Sequence, residues 1–358
     1  MSGARPDPVP VTVLTGFLGA GKTTLLNRLL KQPALAETAV LVNEFGEIGL
    51  DHLLVEALDG DTVLLNAGCL CCTVRGDLVR ALRDLALRME EGRRIRRVVV
   101  ETTGLADPAP ILQTLMSDPL VLFRYRLDGV VTLVDAVTGM ATLDAQPEAV
   151  KQAAMADRLV LTKADLATPE QLAALRARLA ALNPGAPLLQ ALHGEIAPAA
   201  LLDCGLFDST RKIPEVRRWL DAEAWDAHGH DHHHHHHHHD RNRHDARIHA
   251  FCLTFEEPLP WDGLATWLEV LAMTRGESVL RLKGILNLEG EDRPVAIHGV
   301  QHLFHPPAKL AAWPDGDDRC SRLVFILRDL DRATVENGLK AFVASAKTQS
   351  AIAAGTAG

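Results

Sequence analysis

Gly16-Phe17-Leu18-Gly19-Ala20-Gly21-Lys22-Thr23, continued by Thr24, is the stretch that decides the fold of this chain. It matches G-x-x-x-x-G-K-[ST]. A β-branched run at residues 11–14 precedes it, and a run with Leu25, Leu26, Leu29 and Leu30 at helical spacing follows it. A strand, a glycine turn and a helix N-terminus in that order make a cradle for phosphates. The glycines let successive backbone N–H groups turn inward, and the helix adds the positive end of its dipole. Gly16, Gly19, Ala20, Gly21, Lys22, Thr23 and Thr24 are therefore the expected nucleotide contacts, with Lys22 reaching the outer phosphate oxygens and the Thr23 hydroxyl holding Mg²⁺. A chance glycine turn does not explain eight agreeing positions with both flanking elements in place.

Further short β-branched runs at residues 39–42, 62–65, 97–101, 129–134 and 158–161 alternate with helix-period segments such as residues 169–182. That alternation predicts an α/β domain, a P-loop GTPase type with a mostly parallel sheet covered by helices, over residues 8–220. Between residues 221 and 247 the composition turns abruptly to His, Asp and Arg, which cannot form a packed core and reads as a linker. Residues 248–346 then run β-α-β-β-β-α, a smaller α+β domain with an antiparallel sheet, ferredoxin-like in outline. Residues 306–318 read as irregular, and residues 348–358 as a fraying tail. Trp261, Trp267 and Trp313 read as packing residues.

Composition narrows the function. The 358 residues carry 47% apolar and 23% charged side chains, which excludes wholesale disorder, and two domains are expected at this length. A formal net charge of -9 argues against a nucleic-acid face. Residues 1–10 lack the apolar core of a signal peptide, and no run is long enough to span a membrane. The expectation is a cytoplasmic protein with no nucleic-acid or membrane partner.

A phosphate loop does not choose its base. At the end of the run 158–161 stand Thr162, Lys163, Ala164 and Asp165, a variant of the [NT]KxD guanine motif. The Asp165 carboxylate can accept from guanine N1–H and the 2-amino group, both of which adenine lacks. Thr162 stands where Asn is commoner and forgoes an amide that usually braces the phosphate loop. The third element is Glu101, in place of the commoner Asp, at a strand end near Mg²⁺ and meeting it through water. Gly104 follows as the sensor of the γ-phosphate. Residues 104–108 form the expected switch segment, and Lys22, Thr23 and Glu101 the expected catalytic set.

Cys69, Cys71 and Cys72 place three thiols within four residues. So much thiolate charge persists chiefly on a soft or borderline cation, so a metal site is the preferred reading over a redox centre or inert thiols. A second accumulation, ten of the 17 histidines, lies at residues 228–239 and reads as a native antenna for weak, fast-exchanging metal capture. His298, His302 and His305 read first as ordinary surface or core residues.

Taken in order, GFLGAGKTT (16–24), NEFGEIG (43–49), GCLCCT (68–73), ETTGLADP (101–108), TKAD (162–165) and IHGVQHLFH (297–305) resemble the CobW-type metal-chaperone GTPases, related to the HypB and UreG GTPases. The resemblance spans about residues 8–345. It implies slow GTP hydrolysis, a phosphoric anhydride hydrolase reaction, linked to delivery of a metal to a client protein, with a homodimer open. Cys69, Cys71 and Cys72 map onto the family's CxCC, and Glu44 gains a candidate role near the switch and the metal. Cys₃-type ligation favours Zn²⁺, with Co²⁺ for cobalamin synthesis as the alternative. Two rivals stand beside it: a metal buffer or sensor that binds nucleotide without turnover, and a small-molecule P-loop kinase, which would have no use for the cysteines.

Overall fold

The computed structural model describes residues 7–42, 64–66, 74–204, 247–313 and 317–355. The chain divides into two compact units, Met1–Ala180 with Ala186–Leu206, and Ala181–Gly185 with Phe207–Gly358.

The first unit opens with β1 (Val9–Gly16), α1 (Lys22–Leu30), β2 (Thr38–Val42), β3 (Leu64–Asn66), α2 (Val74–Glu90) and β4 (Arg97–Glu101). It continues through α3 (Ala109–Ser117), α4 (Pro119–Arg124), β5 (Tyr125–Asp135), α5 (Gly139–Ala145), α6 (Pro147–Ala154), β6 (Arg158–Thr162), α7 (Pro169–Leu182), β7 (Leu188–Gln190) and α8 (Pro198–Leu201). The seven strands lie in the order β3-β2-β4-β1-β5-β6-β7, and every pairing is parallel. The cause is legible in the strands themselves. β6 is buried at all five positions and β5 at ten of eleven, without the alternation of a one-faced sheet, so both faces need helical cover. Leu25, Leu26 and Leu29 of α1 are buried, as are Leu175, Leu179 and Leu182 of α7.

The described part of β3 is Leu64–Asn66, one residue beyond the expected strand end at 65, and residues 62–63 lie outside the described residues. β7 was not anticipated, because three residues at a sheet edge carry too little periodicity to register. At the N-terminal edge of the sheet, fully buried Asp128 accepts from Thr12 Oγ1 and Arg97 Nη1, each at 2.8 Å, and from the backbone N–H groups of Asp203 and Cys204, each at 3.1 Å. These four donors offset the desolvation of the carboxylate and tie the segment after α8 to the sheet.

The second unit comprises β8 (Ile248–Phe255), α9 (Trp261–Arg275), β9 (Val279–Leu286), β10 (Val295–Val300), β11 (Leu303–Phe304), β12 (Ala308–Lys309), β13 (Ser321–Arg328) and α10 (Arg332–Gly355). Its sheet is antiparallel in the order β11-β10-β9-β13-β8, with β12 also on β10. β8, α9 and β9 form a split β-α-β unit with β13 inserted between the two strands, so the ferredoxin-like outline holds at that unit, although its inserted strand is the last one. Phe251 stacks on Phe325 at 5.4 Å between centroids, and Trp267 meets the same ring edge-on at 6.0 Å. Trp261, expected to pack, is 38% exposed at the start of α9. The stretch 306–318 contributes the short strand β12, and the segment expected to fray continues α10 as far as Gly355, since Ala351, Ala353 and Ala354 are good helix formers.

Candidate functional site

In a parallel sheet the chain leaves each strand at its carboxyl end, and ligands bind there because helix N-termini and loop amides converge on it. In the first unit the C-terminal ends of β1, β4, β5 and β6 bring together most of the polar residues singled out from the sequence. Around α1 the phosphate loop takes left-handed backbone at Gly19 (φ 75) and Gly21 (φ 88), which L side chains rarely adopt. Lys22 is buried to 9% exposure, and its Nζ donates to Gly16 O at 2.9 Å and Phe17 O at 3.3 Å. The ammonium is thereby held against the loop whose phosphates it would share. Gly16 and Ala20 lie in the same turn, and Thr24 is in the first turn of α1.

Thr23 and Glu101 meet directly. The Thr23 hydroxyl donates to Glu101 Oε1 at 3.0 Å, and Glu101, the last residue of β4, is 5% exposed. A hydroxyl beside a buried carboxylate at the mouth of a phosphate loop is a hard oxygen donor set, and it fits Mg²⁺ with its remaining positions left to phosphate and water. The next residue fixes the strand ends: Thr102 Oγ1 donates to Thr15 Oγ1 at 2.7 Å, and Thr102 N–H to Leu14 O at 2.9 Å. Gly104 then passes so close to the phosphate loop that a Cβ would stand 2.5 Å from Leu18 N, which only glycine allows.

The base-reading motif is joined to the same loop. Thr162 Oγ1 donates to Ala20 O at 2.8 Å. The expected loss of bracing is thus corrected: the threonine hydroxyl makes the tie for which an asparagine amide is commoner. Lys163, at φ 54, donates from Nζ to Gly19 O at 2.9 Å and to Asp135 Oδ2 at 2.6 Å. Asp165 follows with its side chain 31% exposed, open to a base.

Two residues of this region escaped the sequence reading. Asp135, at the end of β5, binds Lys163 and also accepts from Val137 N–H at 2.8 Å and Thr138 N–H at 3.3 Å. Burial pushes its carboxyl up, but the Lys163 hydrogen bond, the two backbone donors and the Lys163 charge outweigh burial and hold it below the usual range. Gln152 of α6 is 1% exposed and donates from Nε2 to Gly104 O at 3.1 Å and Ala106 O at 2.9 Å, clamping the segment expected to act as the switch. Beside it Lys151 pairs with Asp107 at 2.5 Å. An Asp ending a strand was available as a signal; a glutamine inside a helix was not.

The remaining candidates fall into two groups. Glu44, Cys69, Cys71, Cys72 and the histidine run at 228–239 lie outside the described residues. Among the described residues no group of three or more His, Cys, Asp or Glu side chains is arranged to hold a metal. In the second unit His298 is 2% exposed, while His302 Nδ1 and His305 Nδ1 each lie 2.8 Å from a backbone carbonyl, those of Ala272 and Pro306. Burial drives the His298 imidazole well below its ordinary pKa, and the charges of Arg281, Lys283 and His305 add to the effect.

Residues 10–190 match the CobW/HypB/UreG nucleotide-binding domain, and residues 248–343 match the cobalamin synthesis protein CobW C-terminal domain. The chain belongs to the CobW/HypB/UreG family. The zinc chaperone YjiA of Escherichia coli is 35% identical over 89% of this chain and 94% of its own length. The zinc chaperone CobW of Pseudomonas aeruginosa is 32% identical over 94% and 92%. Among solved structures, Zn(II)-bound YjiA GTPase from E. coli superposes with a TM-score of 0.67 at 31% identity, over 94% of this chain and 99% of that one. The first unit therefore has the P-loop GTPase fold of this family, and the second is its CobW-type C-terminal domain. Among the described residues no helix is long and apolar enough to cross a membrane.

Proposed function

We propose that this protein is a cytoplasmic, GTP-hydrolysing metallochaperone that takes zinc at Cys69, Cys71 and Cys72 and passes it to a client protein. The observation that carries the nucleotide half is the Thr23–Glu101 contact at 3.0 Å beside Gly104, with Thr162 and Lys163 tied into the same loop. It joins the metal position, the γ-phosphate sensor and the base motif in one connected network. The metal half is supported by the three clustered thiols and by relatives that are named zinc chaperones.

In this reading the loop amides of residues 16–24 and Lys22 Nζ bind the phosphates, and Asp165 selects guanine. Thr23 and Glu101 would hold Mg²⁺, which when bound neutralises charge on the β- and γ-phosphate oxygens. Gly104 N–H would meet the γ-phosphate, which draws residues 104–108 away from the Gln152 carboxamide or tightens them against it. That rearrangement makes metal affinity at the cysteines differ between GTP and GDP states, and linkage requires zinc to shift GTP affinity by the same factor.

The test is GTP affinity and steady-state turnover, measured on protein with and without one equivalent of Zn²⁺. Zinc-dependent affinity and turnover support the chaperone. Identical GTP affinity in both forms disproves the coupling, and binding without turnover leaves a buffer or sensor. Lys22→Ala serves as the control: turnover falls by about 10²–10³-fold or more, because a charge on the transferring phosphate is lost, while zinc binding at the cysteines persists.

A further inference from the structure

After β7 the chain makes a tight turn closed on itself, with Glu195 N–H donating to Leu192 O at 2.8 Å and Leu192 N–H to Glu195 O at 3.3 Å. Its two central residues take left-handed backbone, His193 at φ 51 and Gly194 at φ 77. Gly194 lies on α1: a Cβ there would stand 3.3 Å from both Thr24 Cγ2 and Arg28 Cγ, and Glu195 meets Arg28 at 3.7 Å. The turn is thus fastened to the helix that carries the phosphate loop, and its geometry directs one side chain to the base motif. His193 Nδ1 lies 3.8 Å from Asp165 Oδ2. A residue other than glycine in left-handed backbone costs free energy and persists where the surrounding structure holds it.

Guanine offers three polar groups on the edge that Asp165 would face. N1–H and the 2-amino group donate, and O6, next to N1, accepts. An ionised carboxylate only accepts, so Asp165 can serve the first two and never the third. O6 calls for a donor beside Asp165, and an imidazole carries at least one N–H in either protonation state. We propose that His193 completes the base site, its imidazole N–H donating to guanine O6 while Asp165 takes N1–H and the 2-amino group. The inference rests on the guanine reading of Thr162 to Asp165 and deepens it. Adenine would set its 6-amino donors against the imidazole donor and its N1 lone pair against Asp165, so the pair rejects adenine at two points rather than one. With 75% of its side chain exposed, His193 is free to turn onto a base.

The experiment measures Mg²⁺-dependent binding of GTP, ITP, 6-thio-GTP and ATP to the full chain and to its His193→Ala and His193→Asn variants. His193→Ala should weaken GTP and ITP, which share O6, by about 5- to 10-fold, the worth of one neutral hydrogen bond. Binding of 6-thio-GTP, whose sulfur is a poor acceptor, should stay within about 2-fold, since that bond is already lost. His193→Asn, an amide donor that tolerates left-handed backbone, should recover most of the GTP affinity. Equal weakening of GTP and 6-thio-GTP would mark a collapsed turn and overturn the proposal, as would GTP binding unchanged in His193→Ala. Wild-type protein that binds ATP as well as GTP would instead overturn the guanine reading at Asp165, and that outcome is visible before any variant is made.

Discussion

The parallel sheet of the first unit and the antiparallel sheet of the second bury different chemistry. At the carboxyl ends of β1, β4, β5 and β6 the first unit holds Lys22, Glu101, Asp135, Gln152 and Thr162 within the protein, and contacts such as Thr23–Glu101, Lys163–Asp135 and Thr162–Ala20 link them into the site. The second unit is organised around Phe251, Phe325 and Trp267, and the charges acting on its buried His298 come from Arg281, Lys283 and His305, none of which can neutralise an imidazolium. Polar groups buried with partners position a ligand; aromatic rings buried against each other only hold a fold. The larger connected polar network among the described residues is the one at the strand ends of the first unit.

The sharpest way to break this contrast is to cut the aromatic core. Phe325 is fully buried and shared by both ring contacts. Phe325→Ala should destabilise the second unit by about 3–5 kcal/mol through lost burial and a cavity. Hydrogen exchange of β9 and β13 amides should rise accordingly, while GTP affinity measured below the unfolding transition stays unchanged. A fall in GTP affinity that tracks the lost stability would show the two regions to be energetically one.

Acid separates the regions on a smaller scale. Burial, with the charges of Arg281 and Lys283 and a smaller one from His305, depresses the His298 pKa, so the folded protein resists protonating this imidazole. Below its ordinary value of 6.5 the unfolded chain binds a proton that the native state refuses, so stability falls with falling pH. The slope is about 1.4 kcal/mol per pH unit, and it ends where pH reaches the native pKa. Asp135 has the same sign but a lower window: its folded pKa lies below 3.8, so its contribution is complete above that value and is lost only as pH drops beneath it. Between pH 6.5 and 5 hydrogen exchange should therefore show weakening in the second sheet and none traceable to Asp135 in the first. In His298→Leu the slope should flatten.

How much of this was legible in the sequence depends on the range of each signal. The phosphate loop, Glu101 and the Thr162–Asp165 motif were readable because each sits at a strand end with its chemistry in consecutive residues. The four long strands and two helices of the second unit were readable in order, whereas the two-residue strands β11 and β12 were not. Asp135 and Gln152 were not, because what makes them part of the site is contact with Lys163 and with the carbonyls of Gly104 and Ala106, residues up to 48 positions away. β7 failed for a different reason, being too short to show a period. The insertion of β13 between β8 and β9 is likewise a matter of long-range pairing, which no local pattern encodes.

The smallest effect tests the one place where sequence reasoning drew the wrong consequence from a right observation. Thr162 was read as a residue that forgoes bracing of the phosphate loop, yet its hydroxyl reaches Ala20 O at 2.8 Å with 6% of the residue exposed. Thr162→Val keeps the shape and deletes the donor, leaving a buried carbonyl unsatisfied, which costs about 1–3 kcal/mol wherever the carbonyl cannot find water. Ala20 lies in the loop that would hold the phosphates, so part of that cost should appear as weaker nucleotide binding, about 5- to 10-fold for GTP and GDP alike. The equality matters: Thr162 touches the loop rather than the γ-phosphate, so a loss confined to GTP would assign it to the switch instead. Thr162→Ser retains the hydroxyl without the methyl and should restore most of the affinity. Should Thr162→Val bind both nucleotides as tightly as the parent, the brace at Ala20 would be a consequence of the fold, and the loop's shape would rest on its other ties, Lys163 to Gly19 O and Lys22 to Gly16 O and Phe17 O.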